Sequence, residues 1–226
     1  MSFNLLLSNL PRKAGISSFP GLEQVDLTFG QVLHDPGERI EHVYFPTGSL
    51  VSLVSHQKGQ IAVEVGVIGR DGMVGVAVAL GENISSVRAV VQSAGVSMRA
   101  KSADFLKAFE RRAGMRSKVH RYSNDLANQV MQTVSCNRNH NPEQRLARWL
   151  LMMRDRLSTD QYEFTQKYLG YMLGVRRAGV SEAAGRLQRR KLIRYTRGRI
   201  EIVNARGLKA ACCSCYSVWK DTPRTH

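Results

Sequence analysis

Hydrophobic positions follow two different patterns along the chain. From about residue 20 to residue 100, short Val- and Ile-rich runs alternate with Gly and Pro punctuation: VDLTFGQVLHDPGERI, HVYFPTGSLVSLVSHQKGQIAVEVGVIG, MVGVAVALG and VRAVVQSAGVSMRA. Such runs, broken by turn signals like Asp35-Pro36-Gly37 and Lys58-Gly59, predict an all-β sandwich or barrel. Ser102 is then placed to cap a helix over ADFLKAFERR. From Met115 onward the period changes: Met115, Val119, Tyr122, Leu126, Val130 and Val134 fall three or four apart and predict one long amphipathic helix. The β-rich segment offers no obvious cover for the whole stripe, so the helix is expected to pair with its copy in a second subunit, with packing on its own domain as the alternative. Cys136 to Pro142, CNRNHNP, breaks the pattern, with Pro142 suited to the first turn of a new helix. Leu146, Trp149, Leu150 and Met153 then open a second, helical domain. The expected class is α+β, with a β domain over 1–114, a dimerisation helix over 115–138 and a helical domain over 139–226.

Phe164 to Val203, FTQKYLGYMLGVRRAGVSEAAGRLQRRKLIRYTRGRIEIV, carries the most information. Thr165 can cap a short helix whose Leu169 and Leu173 face inward, and Gly170 lets a second helix cross closely. Gly174 permits a tight turn, Val175, Val180 and Leu187 close the core, and Arg176, Arg177, Ser181 and Glu182 fall on the outer side of the second helix. Arg near a helix start can reach guanine O6 and N7 in the major groove, and each such pair discriminates by about 1–3 kcal/mol. The alternating runs around Arg197-Gly198 predict a β-hairpin wing, whose Arg197 and Arg199 can clamp phosphates.

Charge sharpens this reading. The net charge is +15, but residues 1–110 hold nine Lys and Arg against ten Asp and Glu, while residues 111–226 hold twenty-four against eight. The cationic excess therefore lies wholly in the second half, where a polyanion would gain from counterion release. No run of about 18 apolar residues is present, and MSFNLLLSNLPRK has no basic segment before its short apolar patch, so no membrane partner is expected. Three of the four cysteines, Cys212, Cys213 and Cys215, crowd one segment and Cys136 stands apart, which does not read as a disulfide framework and points to a reducing cytoplasm. Cys212, Cys213 and Cys215 could bind a soft metal or form a redox-sensitive thiol group, but their spacing is too tight for a C-x-x-C zinc site and no second ligand pair lies near in sequence, so no metal is expected. The glycines from Gly66 to Gly81 lack phosphate-loop spacing, and no nucleophile, base and orienter stand together, so an enzyme is not expected.

Taken together, the Pro36-Gly37 turn, Tyr44-Phe45-Pro46 with Gly48, IGRDGMVG from Ile68 to Gly75, the long helix and TQKYLGYMLGVRR resemble the Crp/Fnr family of bacterial regulators over nearly the whole chain. The resemblance implies a cyclic-nucleotide-binding-like β-roll, a dimer helix and a C-terminal winged helix-turn-helix. It implies a transcription regulator whose partners are double-stranded DNA, a second copy of the chain, RNA polymerase and a small-molecule effector. The family's base-reading positions fall on Arg176, Arg177, Ser181 and Glu182, and its phosphate contacts on Thr165 and Gln166.

Departures from the family bear on the effector, which the sequence leaves unknown along with any cofactor. Cyclic-AMP-binding members carry Gly-Glu-Leu and later Arg-Ser/Thr-Ala; here the corresponding residues are Gly75-Val76-Ala77 and Val87-Arg88-Ala89. The Glu is absent and the Arg is displaced by one, which in a strand sends the side chain to the opposite face. Cyclic AMP is therefore not the expected effector. An N-terminal iron–sulfur cysteine cluster is also missing, since no cysteine precedes Cys136, and His34, His42 and His56 are loose candidates for haem ligation. Two other classes compete: a basic RNA- or anionic-membrane-binding protein, and a regulatory subunit of an enzyme. Tyr195 is the one aromatic residue among the basic ones from Arg176 to Arg199, short of the interleaved aromatics that single-strand stacking requires, and the enzyme-subunit reading leaves the C-terminal arginines without a role.

Overall fold

The computed structural model describes residues 3–8, 21–55, 63–157, 159–164 and 166–217. The chain divides into two compact units, one from residues 1–55 and 66–128, the other from residues 56–65 and 129–224. The division falls inside the long helix, which the periodicity of the sequence treats as a segment of its own.

The first unit holds α1 (Leu5–Ser8), β1 (Glu23–Leu27), β2 (Val32–His34), β3 (His42–Pro46), β4 (Leu50–Ser55), the second half of β5 (Val63–Ile68), β6 (Arg88–Ser93), β7 (Gly95–Lys101), α2 (Ser102–Arg111) and the first part of α3 (Ala113–Asn139). Its strands form one sheet in the order β1-β7-β3 and a second in the order β2-β6-β4-β5, the antiparallel roll that the Val- and Ile-rich runs predict. β3 shows why. Its run HVYFP does not alternate with polar residues because both faces are covered: Tyr44 packs with Val51, Ile68, Ala89 and Val91, while Val43 and Phe45 join a cluster with Phe105, Phe109 and Met73. The Asp35-Pro36-Gly37-Glu38 turn is closed by Glu38 N–H donating to Asp35 O at 3.1 Å, with Gly37 at φ +84° as a type II turn requires. The Lys58-Gly59 turn and His56 lie outside the described residues.

Met115, Val119, Tyr122 and Leu126 are buried in this same core. The chain's own β-roll therefore covers four of the six positions that the sequence pattern assigns to a partner helix. The missing cover includes the turn from Gly69 to Gly75 beneath Tyr122 and Gly66 of β5 beneath Leu126, which periodicity alone could not place there. Tyr122 donates to Met73 O at 2.8 Å, and a Cβ on Gly72 would meet the Tyr122 ring at 2.4 Å. The glycine of IGRDGMVG is thus the seat of a tyrosine from α3. Only Val130, half-buried, and Val134, exposed, remain from the expected stripe, with Met131 exposed beside them. Ser102 is not the cap of α2: Lys101 holds that position, and the Ser102 hydroxyl donates to Ile40 O at 2.5 Å.

The second unit begins within α3, which continues through Cys136 to Asn139, so the break is shorter than CNRNHNP suggests. Asn141 then caps α4 (Pro142–Leu157): its side chain accepts from Gln144 N–H at 3.0 Å, and Gln144 Oε1 accepts from Asn141 N–H at 3.2 Å. This reciprocal pair satisfies two helix-start donors, and Pro142 at the first helical position has no N–H to satisfy. β8 (Gln161–Glu163), α5 (Gln166–Leu173), α6 (Arg177–Arg189), β9 (Ile193–Thr196), β10 (Arg199–Ile202) and α7 (Ala205–Ala211) follow. Leu146, Leu150, Met153, Leu169, Leu187, Ile193, Ile200 and Leu208 form its buried interior, and β8, β10 and β9 form a small antiparallel sheet in that order.

Candidate nucleic-acid interface

The turn between α5 and α6 is set by two glycines. A Cβ on Gly170 would stand 2.9 Å from Val175 O, whose residue in turn donates its N–H to Gly170 O at 3.0 Å, so no larger residue lets the chain double back this closely. Gly174, at φ +58°, makes the reversal itself. Leu169, Leu173, Val180 and Leu187 are buried and Val175 half-buried, as the sequence predicts for the two-helix core.

α6 buries Val180, Ala183, Ala184 and Leu187. The same spacing leaves Arg177, Ser181 and Glu182 exposed on the other side, with exposed Arg176 at the N-cap. Arg177 Nε donates to Gln166 Oε1 at 2.7 Å, so the first turn of α5 holds the guanidinium at the start of α6. Ser181 Oγ donates to Arg177 O at 3.2 Å, and Glu182 pairs with Arg186 at 2.6 Å. Burial raises the Tyr195 phenol above its ordinary pKa, while the charge of Arg177 acts to lower it. Thr165 lies outside the described residues.

β9 and β10 pair in the register Thr196↔Arg199 and Ile193↔Ile202, leaving Arg197-Gly198 as a two-residue loop. Both loop residues have positive φ, +49° and +87°, the requirement of a type I′ turn. The wing predicted from RYTRGRIEIV is therefore present, with exposed Arg197 at its tip and Arg199 paired to Glu163 at 2.9 Å. The sequence motifs do not single out Arg186 and Arg189 on α6, Arg190 and Lys191 after it, or Arg194 on β9, which are also exposed. From Arg176 to Arg199 the chain carries nine Arg and Lys against the single Glu182. The density of Arg along RLQRRKLIR is the signal that reveals them.

In the β-roll, Arg88 is half-buried and ion-paired to Asp35, while its neighbour Ala89 is fully buried. The side chain thus points away from the interior, as its displacement in the sequence requires. His34 is buried, and burial holds its imidazole below the usual pKa. His42 is half-buried, with its ring 6.4 Å from that of Tyr44.

Residues 144–211 match the family model of the Crp-like helix-turn-helix domain. A comparison with curated protein sequences gave no significant match. Among solved structures, the chain is similar to FixK2 from Bradyrhizobium japonicum, with a TM-score of 0.73 at 14% identity, covering 85% of this chain and 98% of that one. A CRP-family transcriptional regulator from Thermus thermophilus superposes with a TM-score of 0.67 at 16% identity over 83% of this chain and 95% of that one. A crp/fnr-family regulator from Eubacterium rectale gives 0.67 at 14% over 92% and 97%. Among the described residues, no helix is long and apolar enough to cross a membrane. Residues 144–211 thus belong to the Crp-like helix-turn-helix domains, carried on a chain with the fold of the Crp/Fnr transcriptional regulators.

Proposed function

We propose that this chain is a cytoplasmic, homodimeric, sequence-specific regulator that reads duplex DNA through α6. The observation that carries this reading is the exposed row Arg176, Arg177, Ser181 and Glu182 on a helix whose opposite face is buried in a rigid two-helix core. A helix fits the major groove, and Arg at its N-terminal end meets base edges there. Gln166, Thr165, Arg197 and Arg199 supply phosphate contacts on either side, which position the domain without reading sequence. In a dimer, two such helices would address half-sites about 34 Å apart. Val130, Met131 and Val134, the apolar residues of α3 left open or partly open, supply a contact for the second copy. RNA polymerase is the further partner through which bound regulator would alter transcription.

The effector is a small molecule other than cyclic AMP. Support comes from Arg88, which is engaged by Asp35 on the outer face, and from Val76, which stands where a ribose-binding Glu would be needed. Selecting duplexes from a random pool and measuring their affinity tests the DNA reading. Arg177→Ala is expected to weaken the selected site by about 1–3 kcal/mol and leave non-specific binding nearly unchanged. Equal loss on both would remove Arg177 from base reading.

A further inference from the structure

Beyond the wing, the chain returns to the end of α3. Cys136 and His140 are one helical turn apart, with His140 N–H donating to Cys136 O at 3.1 Å, so their side chains leave the same face. Against them lie Cys213 and Cys215, which follow α7 directly. Cys136 Sγ is 3.6 Å from Cys213 Sγ, and Cys215 Sγ is 3.5 Å from His140 Nδ1. The four donor atoms all lie within 4.8 Å of one another. The three sulfurs belong to buried residues and the imidazole to a half-buried one.

We propose that Cys136, His140, Cys213 and Cys215 bind a single zinc-class divalent ion as a closed, tetrahedral structural site. Three thiolates and one imidazole are an established structural zinc set, and with all four positions filled by protein no place is left for a substrate. A Zn–S bond of about 2.3 Å gives a tetrahedron with edges of about 3.8 Å, close to the two distances above. A multi-iron cluster places its cysteines on separate irons and needs a wider cage. Cys212 stands outside the set, because its thiol is directed to Cys213 O at 3.3 Å.

The surroundings suit bound thiolates better than free thiols. Arg145 and Arg148 on α4 are buried, and their Nε groups have no hydrogen-bond partner among the described residues. Arg148 acts electrostatically on Cys136, and Cys136 and Cys213 act on Arg145. Among the described residues neither arginine has an ion-pair partner, and Arg148 has only the Thr133 hydroxyl, 3.4 Å from Nη2, so beside neutral thiols the two buried cations are costly. Three thiolates around a dication carry a net charge of about −1, which these arginines offset. Without metal, the contact with Cys136 acts to lower the Cys213 thiol, but the Cys212 hydrogen bond and burial outweigh it and push Cys213 up to about 12. The hydrogen bond to Cys213, with burial, pushes Cys136 higher still. Metal entry then displaces one proton from each of the three thiols to solvent, with no change of oxidation state. Gln132 Nε2 donates to Cys215 Sγ at 2.9 Å and would orient that ligand. Because the helix-turn-helix lies between the two ligand pairs, occupancy closes the winged domain on itself.

The test uses the full chain, isolated under reducing conditions, stripped with a chelator and titrated with cobalt(II). One equivalent is expected to bind with the strong visible bands of a tetrahedral ion and thiolate-to-cobalt absorption in the near ultraviolet, all abolished by zinc. Cys215→Ser and His140→Gln are each expected to weaken cobalt binding by more than the roughly 10–100-fold that loss of an outer-shell partner costs, while Cys212→Ser leaves it unchanged. If the ligand variants fail to fold, the wild-type spectrum and stoichiometry decide. A pale six-coordinate spectrum, no binding, a Cys136–Cys213 disulfide that persists under reduction, or an equal loss in Cys212→Ser would each overturn the proposal.

Discussion

The two halves of this chain differ in charge balance, although both pair arginines with carboxylates. Residues 1–110 are close to neutral, and two of their arginines are tied to carboxylates of the same half: Arg88 to Asp35 and Arg99 to Glu23. Residues 111–226 hold the whole cationic excess, and much of it stands outward around α6 and the wing. A half whose charges nearly balance has little net charge with which to attract an anion. The helix-turn-helix and wing also pair Arg186 with Glu182, Arg190 with Glu143, Arg194 with Glu201 and Arg199 with Glu163, but these are weak, largely exposed contacts, and nine Arg and Lys against one Glu from Arg176 to Arg199 leave a cationic excess for an anion.

That contrast is broken most readily by salt. If the C-terminal cations meet phosphates, duplex affinity should fall by on the order of 10³-fold or more between 50 and 200 mM salt, read by fluorescence anisotropy. A shallow dependence would mean that the outward charge is only solvated.

Two alanine substitutions place the next largest effect in one half or the other. Gly170→Ala sets a Cβ against Val175 O, and Gly72→Ala sets one against the Tyr122 ring. Overpacking of this kind costs about 1–3 kcal/mol. Gly170→Ala should therefore lower chemical-denaturation stability and impair DNA binding, whereas Gly72→Ala should lower stability alone. An unchanged midpoint in either would mean that the chain yields there at no cost.

Smaller still is Arg88→Ala, which removes a partly exposed ion pair. Its stability change should stay within about 1 kcal/mol. Calorimetry with cyclic AMP should show no binding before or after the change, and a wild-type affinity that Arg88→Ala destroys would restore Arg88 as a phosphate ligand.

The least effect is expected from His34. Its folded pKa lies below the ordinary 6.5, so the native state holds the ring neutral. As pH falls below about 6.5 the unfolded chain takes up a proton that the folded chain resists, and stability declines. Above that pH the contribution is fully present. Stability of His34→Asn, followed by denaturant titration from about pH 7.5 to about pH 5, should fall less steeply than that of the wild type. Parallel curves would show that His34 does not drive the slope.

Local pattern was enough for the β-roll runs, the Asp35-Pro36-Gly37 turn, the Gly170 and Gly174 reversal and the Arg197-Gly198 wing, because each depends on residues a few positions apart. For the α3 stripe it failed in its preferred cover, a partner helix, and not in the alternative of the chain's own domain. A row of apolar residues announces a buried face without naming what covers it, and Met115, Val119, Tyr122 and Leu126 found their cover in the chain's own β-roll. It failed likewise for the cysteines, where adjacency in sequence was the wrong measure of proximity.

Sequence by itself determined the order of the elements, the helix-turn-helix with its outward arginines, and the division of charge between the halves, since period, turn chemistry and composition are local properties. Tertiary structure alone decided which core receives the first half of α3, which carboxylate holds Arg88, and that Cys136 and His140 meet Cys213 and Cys215. Those are contacts between residues far apart in the chain, and only the packing of helices and strands brings such side chains within reach.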